Sequence, residues 1–440
     1  MKLFLLSLML LQCLTSFPQI SGKLGSEVET FINEREKVYP LNGALLISKG
    51  NTKMERFYGL ANVTNSIKVD SNTRFNLASC TKPFTATAIL LLQQEKKLSI
   101  NDKLTKWIQG APATWKGLTI KHLLTHTSGI QEISQLMVGK SIKGLASVLV
   151  LYKSKTLSFL PGEKFEYSNT NYILLSYIIE KASGTSYELF VKNRIFQPIK
   201  MQNSGFSYID GSKNIALPYH DAFLLKQVPK SDLADLSILK GAGGMFSTAK
   251  DLQLFLSGLT KLLFPNTIEQ MVQIEKEDYG LGWHILKENN KTILKHSGSI
   301  NGFTSEMRYI LEDSTAIILL SNVTSNSLPN RYTAFSIYRI LNGETLVYPD
   351  ISQFLGSYTL SNEFRDKFSV DSMQVIQKEG ALELHISGKK QEIKRLIPMN
   401  WNQFFFYGEG AVSIRFDKDG KGAVLIVPRF GEIKMFKQRK

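Results

Sequence analysis

FNLASCTKPFTA, residues Phe75–Ala86, sets a serine and a lysine three positions apart, with a proline directly after the lysine. The run before it, TRFNLA, is strand-like. The run after it, ATAILLLQQ, is too continuously apolar for a surface helix and predicts a central, buried helix over Thr81–Lys97. Ser79 therefore stands at a helix start, where unpaired N–H groups and the positive end of the dipole face outward. Three-residue spacing puts Ser79 and Lys82 on one face, and Pro83 fits a first turn because its missing N–H costs little there. A serine hydroxyl is a weak nucleophile until a base takes its proton. A lysine in a dry pocket against a helix N-terminus has its charged form disfavoured. The spacing alone is unspecific, since it recurs at Ser237/Lys240, Ser247/Lys250 and Ser387/Lys390. A plain N-cap with a solvated lysine is the competing reading.

Outward from this stretch, an amphipathic helix is expected over Ser26–Val38, with Val28, Phe31 and Ile32 on one side. LNGALLISKGN and ERFYGLANV read as strands around a Lys-Gly-Asn turn. Leu98 to about Phe264 is mostly helical, broken by turns such as Pro161-Gly162. Strands return from Tyr279 in GLGWHILK, KTILKHSG, SEMRYILE and TAIILLSN, and a helix follows over Ser327–Ile340. The fold class is α+β: a mixed, mainly antiparallel sheet flanked by helices, with a large helical lobe. Beyond Tyr348-Pro349 the pattern alternates as strands do, as in AVSIRF, then DKDG as a turn and GAVLIVP as the return strand. The expected division is a leader over 1–21, a main domain over 22–347 and a C-terminal small β domain over 348–440.

The leader reading rests on Lys2 followed by LFLLSLMLLQCL, which is too short for a membrane span and predicts a secreted or periplasmic protein. A lipid-modified Cys13 is the lesser alternative, because the bulky Gln12 precedes it. Of the two cysteines only Cys80 lies outside the leader, so no intramolecular disulfide is expected, and Cys80 reads as an apolar filler. The formal charge of +15 is consistent with a solvated lysine-rich surface and with peripheral attraction to an anionic wall or membrane surface. No basic block is interleaved with aromatics, so nucleic-acid binding is not expected. His122-x-x-x-His126 has metal-ligand spacing but no intervening glutamate, so no metal and no cofactor is expected. GAGGMFST fits no phosphate-loop pattern and reads as a turn entering a helix capped by Ser247 or Thr248.

Two more stretches bear on the serine: PGEKFEYSNTNY, with Tyr167-Ser168-Asn169, and LKHSGSINGF, with His296-Ser297-Gly298 on a strand. In this order the three elements resemble the penicillin-recognising serine hydrolases. More narrowly, they resemble the family of class C β-lactamases, related DD-peptidases, D-aminopeptidases and esterases. HLLTHTSGI (His122–Ile130), GAGGMFSTAKDL (Gly241–Leu252) and YGLGW (Tyr279–Trp283) look like that family too, so the likeness spans roughly Asn42 to Leu341.

The resemblance implies that Ser79 forms an acyl-enzyme, and that Lys82 lowers the phenol pKa of Tyr167 by its charge. Tyr167 then serves as general base and acid. Asn169 bonds Lys82 and the substrate amide, and His296, Gly298 and Ser299 line the far wall of the cleft. The backbone N–H groups of Ser79 and Ser299 form an oxyanion hole. The third motif departs from the usual Lys-Thr-Gly. Lys295 faces the opposite side of its strand from His296, so a permanent cation for a substrate carboxylate is missing. The expected activity is hydrolysis of an amide or ester in a small-molecule or peptide substrate of cell-wall type. A peptidase on D-amino-acid or small peptide substrates leads, followed by an esterase, a β-lactamase, and a catalytically idle wall-binding scaffold.

Overall fold

The computed structural model describes residue 20 and residues 22–440 except 39, 137–143, 207–213, 221–226, 229–237, 301, 325–326, 346–350, 361–364, 366–368, 379–380, 389–390, 399–402, 407–411, 418–420, 428–430 and 439–440. The expected leader, Cys13 included, lies outside the described residues apart from Ile20, as do residues 418–420 of the DKDG turn.

The central sheet has six strands: β1 (Gly43–Lys49), β2 (Thr52–Tyr58), β3 (His284–Glu288), β4 (Lys291–Ile300), β5 (Phe303–Ile310) and β6 (Thr315–Ser321), in the order β2-β1-β6-β5-β4-β3. Every pairing in it is antiparallel, because β3 to β6 follow one another as hairpins and β1 closes against β6. Parallel pairing among the described residues is confined to the isolated bridges Arg74↔Ile215 and Tyr219↔Val323.

β1 and β6 are buried along almost their whole length because both faces of the sheet are covered. Alternate side chains serve opposite faces. Leu45, Ile47, Ile317 and Leu319 meet Val28 and Ile32 of α1 (Gly22–Val38) and Ile337 of the helix Ser327–Leu341. Ala44, Leu46, Ile318 and Leu320 join the larger core on the other face.

That larger core surrounds α2 (Lys82–Gln94), whose residues Lys82 to Leu92 are all buried. The expected helix start at Thr81 is replaced by a 3-10 turn, Ala78–Thr81, which runs into α2 with Pro83 in the first turn. A second long helix, α3 (Asn169–Ser183), packs against α2 and ends at Gly184 in the left-handed conformation that glycine adopts without strain. The C-terminal strands form a closed barrel of eight, from Gly356–Leu360 to Gly431–Lys437, with the first strand paired to the last (Tyr358↔Lys437). Its interior holds Phe354, Tyr358, Phe404 and Phe416, with the Phe354 and Phe416 rings stacked at 4.4 Å.

Candidate active site

Ser79 is presented by a strained turn. Asn76 pairs with Phe246 in a short strand, Leu77 N–H donates to Met245 O at 2.8 Å, and Ala78 N–H donates to Asn76 Oδ1 at 2.8 Å. Between these ties Ala78 has φ +45°, a left-handed conformation costing about 1–3 kcal/mol in a non-glycine residue, so the surroundings hold it there. Ser79 is half-buried. Lys82, one turn later, is fully buried. Its Nζ donates to Ser79 Oγ at 3.0 Å, Asn169 Oδ1 at 2.7 Å and Ala242 O at 2.8 Å, which uses all three protons of the ammonium. Burial brings the Lys82 pKa down to about 7, with the Glu132 carboxylate opposing the shift.

Tyr167 lies beside this pair, with Lys82 Nζ 4.8 Å from its ring centroid. Its hydroxyl is buried and makes no hydrogen bond of good geometry among the described residues. Burial pushes the phenol well above its ordinary value, and the neighbouring Ser79 hydroxyl pulls it only part of the way back. This corrects the expectation that Lys82 lowers the Tyr167 pKa: desolvation acts on both groups and favours the neutral form of each. Lys82 is thus the one poised near neutrality, and Tyr167 keeps its proton.

Asn169, the first residue of α3, faces Lys82 through Oδ1. Its Nδ2 donates to Glu132 Oε1 at 3.2 Å and its backbone N–H to Glu132 Oε2 at 2.5 Å. Glu132 went unnoticed in the sequence, where it belongs to no pattern. It sits in a loop 37 residues before its partner and places a carboxylate at the positive end of α3.

The strand β4 brings His296, Gly298 and Ser299 to the same place. β3 pairs with β4 only as far as Lys295, so His296–Ile300 have no strand neighbour on that side among the described residues. Gly298 is required by contact: a Cβ there would lie 2.3 Å from Leu77 O, 2.5 Å from Ser305 Oγ and 2.9 Å from Ser79 N. Ser299 is exposed beyond it.

His296 departs from expectation. It is buried, its Nδ1–H donates to Ser297 O at 2.9 Å, and its Nε2 faces Tyr279 Oη at 3.3 Å. Burial, with His284 and Lys82 nearby, holds its pKa far below the ordinary value, so it is a neutral, engaged side chain and not a partly charged wall of the cleft. Lys295, as expected, does not replace it and pairs with Asp278 at 3.0 Å. A permanent cation does lie close by. Exposed Arg331 donates to Ser297 Oγ at 2.8 Å from the helix Ser327–Leu341. The sequence reading missed it, because only the fold brings that helix to β4.

Other candidates find ordinary places. The Cys80 thiol is buried, pushed up by desolvation, and 3.2 Å from His296 O. His122 completes a capping box with Thr119, and Thr248 caps the helix Ala249–Leu262.

A family model described as Beta-lactamase matches residues 36–339. Penicillin-binding protein 4* of Bacillus subtilis is 27% identical over 426 residues, covering 86% of this chain and 90% of its own length. Protein flp of Staphylococcus aureus is 26% identical over 367 residues, covering 78% and 70%. The octameric penicillin-binding protein homologue from Pyrococcus abyssi superposes with a TM-score of 0.69 at 25% identity, covering 94% of this chain and 99% of that one. The D-amino acid amidase of Ochrobactrum anthropi SV3 superposes with a TM-score of 0.62 at 22% identity, covering 73% and 99%, a likeness of fold alone.

Proposed function

Because this chain belongs to the beta-lactamase family, and is accordingly a serine hydrolase acting on an amide or ester, we propose that its substrate is a short peptide or amide built on a D-amino acid. The observation that carries the chemistry is a fully buried lysine, with a pKa of about 7, whose amine lies 3.0 Å from the hydroxyl oxygen of the half-buried Ser79. Neutral Lys82 takes the Ser79 proton as Oγ bonds to the carbonyl carbon. As the old bond breaks, the Tyr167 hydroxyl gives its proton to the departing nitrogen or oxygen, and the Lys82 ammonium restores it. The negative oxygen of the intermediate rests on the Ser79 and Ser299 N–H groups, an arrangement typically contributing about 3 kcal/mol. Water then attacks the acyl-enzyme, returns a proton to Ser79 by way of Lys82 and releases the acid.

The peptide reading is supported by the names of the relatives and by Arg331, a charge suited to a leaving group that carries a carboxylate. Neutral His296 in place of a cation favours a second reading, hydrolysis of uncharged esters. A panel of D-amino-acid amides, peptides ending in two D-residues, p-nitrophenyl esters and a labelled penicillin separates these, run with Ser79→Ala and Arg331→Ala. Peptide turnover that needs both Ser79 and Arg331 supports the first reading. Ester turnover indifferent to Arg331 supports the second, and rapid penicillin turnover would make the protein a β-lactamase. Fluorophosphonate labelling that is absent, or unchanged by Ser79→Ala, would leave an idle scaffold. We further propose that the protein works outside the cytoplasm, drawn to an anionic wall by its net charge of +15.

A further inference from the structure

We propose that His126 is a positioning residue for the reaction, holding the Tyr167 phenol in register with Ser79. The proposal rests on Tyr167 being the proton carrier described above.

Three contacts from His126 reach the Glu166–Ser168 segment. Its backbone oxygen accepts Glu166 N–H at 2.9 Å, its ring Nδ1 accepts Ser168 N–H at 3.1 Å, and its ring lies 4.2 Å from the Tyr167 ring at an interplanar angle of 30°. Both chain neighbours of Tyr167 are therefore tied to His126, and the ring between them lies against the imidazole. At its tip the Tyr167 hydroxyl makes no hydrogen bond of good geometry among the described residues, with the Ser79 hydroxyl its neighbour there. The orientation of the phenol is set from the base of the side chain, and His126 supplies much of that base.

The protonation state follows from the same contacts. A backbone N–H can donate only to a lone pair, so Nδ1 is unprotonated and the ring proton sits on Nε2. Nε2 is buried without a hydrogen-bond partner among the described residues, within the ring cluster of Tyr279 (5.0 Å), Tyr172 (5.1 Å) and Phe165 (5.9 Å). Burial and the Lys82 charge both hold the imidazole neutral. An imidazolium would lose the Ser168 contact and add a second cation beside Lys82. His126 also has φ +54°, a conformation that histidine and asparagine tolerate better than most residues. The position thus needs a residue that accepts a left-handed backbone, offers an acceptor at Nδ1 and presents a flat ring.

Those requirements can be separated. His126→Asn keeps the backbone preference and an acceptor but removes the ring. His126→Phe keeps the ring and removes the acceptor, with some backbone strain at φ +54° that the thermal unfolding measures separately. On the full mature chain, kcat and KM for a p-nitrophenyl ester are measured with fluorophosphonate labelling, thermal unfolding and a ring-carbon NMR titration of Tyr167. Both variants are expected to fold, to keep KM, and to lose kcat and labelling rate by about 10- to 100-fold, as a small misplacement of a proton carrier does. The Tyr167 titration should shift in each. Wild-type kcat in both variants, or a loss explained by unfolding with an unshifted Tyr167 titration, overturns the proposal. Labelling of the wild type that does not depend on Ser79 would sink the hydrolase reading instead. The proposal rests on that reading and falls with it in that case, whereas Ser79-dependent labelling with an unshifted Tyr167 titration in both variants overturns the role of His126 alone.

Discussion

Glu132 holds Asn169 at two points: one carboxylate oxygen accepts its backbone N–H at 2.5 Å, the other its side-chain amide nitrogen at 3.2 Å. The grip fixes which end of the amide faces Lys82. With Nδ2 committed to the carboxylate, Oδ1 is the atom left to accept from Nζ. Glu132 is also the charge that most opposes the effect of burial on Lys82. Glu132→Gln should therefore do two things. It weakens the orientation of Asn169, lowering kcat/KM by about 10-fold, the worth of one charge-assisted hydrogen bond. It also lowers the Lys82 pKa further, moving the rising limb of the pH–rate profile to more acid pH. A profile of kcat/KM against pH for the two proteins checks this, and a limb that stays put or moves to alkaline pH contradicts it.

The same profile in the wild type has a predicted sign. Burial disfavours the Lys82 ammonium, so its folded pKa of about 7 is below its ordinary 10.5. The neutral amine that accepts the Ser79 proton grows as pH rises through that value, and acylation should rise with it. Linkage gives a matching stability effect. Between about 7 and 10.5 the unfolded chain holds a proton that the folded site has released, so this group makes the fold more stable as pH increases across that window. Lys82→Arg should not rescue activity, because a guanidinium remains charged throughout. Stopped-flow acylation against pH and the labelling of Lys82→Arg test the point. Acylation independent of pH around neutrality would remove Lys82 from the proton path.

Gly298 tests how closely β4 must approach the nucleophile turn. Gly298→Ala would put a Cβ 2.3 Å from a carbonyl oxygen and 2.9 Å from the Ser79 nitrogen, both main-chain atoms with little freedom to move. The strand must then back away from the turn. Overpacking of this kind costs about 1–3 kcal/mol. The loss of activity should exceed what that implies for folding, since the displaced atoms belong to the expected oxyanion hole. Thermal unfolding and kcat of Gly298→Ala measure the two effects. Unimpaired kcat in the folded variant would mean that the approach of β4 is unimportant to the reaction.

The sequence was informative where chemistry is local. Ser79 and Lys82 share a turn, and Tyr167 and Asn169 share another at the start of α3, so short motifs locate all four, and the structure brings them together. The six sheet strands were legible from apolar runs and alternation, as were two strands of the C-terminal domain, AVSIRF and GAVLIVP, but not the closure of eight strands into a barrel. What could not be read is whatever depends on enclosure. The neutrality of His296 comes from burial on the core side of β4, with His284 and Lys82 nearby, and its ring contact, Tyr279, is 17 residues away. The high pKa of Tyr167 is a desolvation effect that no spacing encodes. Arg331 and Glu132 reach the site from elements joined to it only by the fold, and neither carries a periodic or motif signal.

The last prediction concerns the N-terminal boundary. The leader reading ends at residue 21, yet Ile20 is packed as a core residue. Its side chain is 9% exposed and clusters with Val28, Ile32 and Met54, and its N–H donates to Lys53 O at 3.2 Å. Gly25 lies so close that a Cβ there would be 2.5 Å from Ile20 O, which fixes the chain against the first turn of α1. Burying an isoleucine of this size contributes about 1.5–3 kcal/mol. Removal of the leader should therefore spare Ile20 and leave a mature chain beginning at or before it. Two truncations, one starting at Ile20 and one at Gly22, should differ in thermal stability, the shorter being the weaker, while both keep the site intact. N-terminal sequencing of the protein purified after expression of the full sequence gives the natural boundary. A mature chain that starts at Gly22, or truncations of equal stability, would show that Ile20 contributes nothing to the fold.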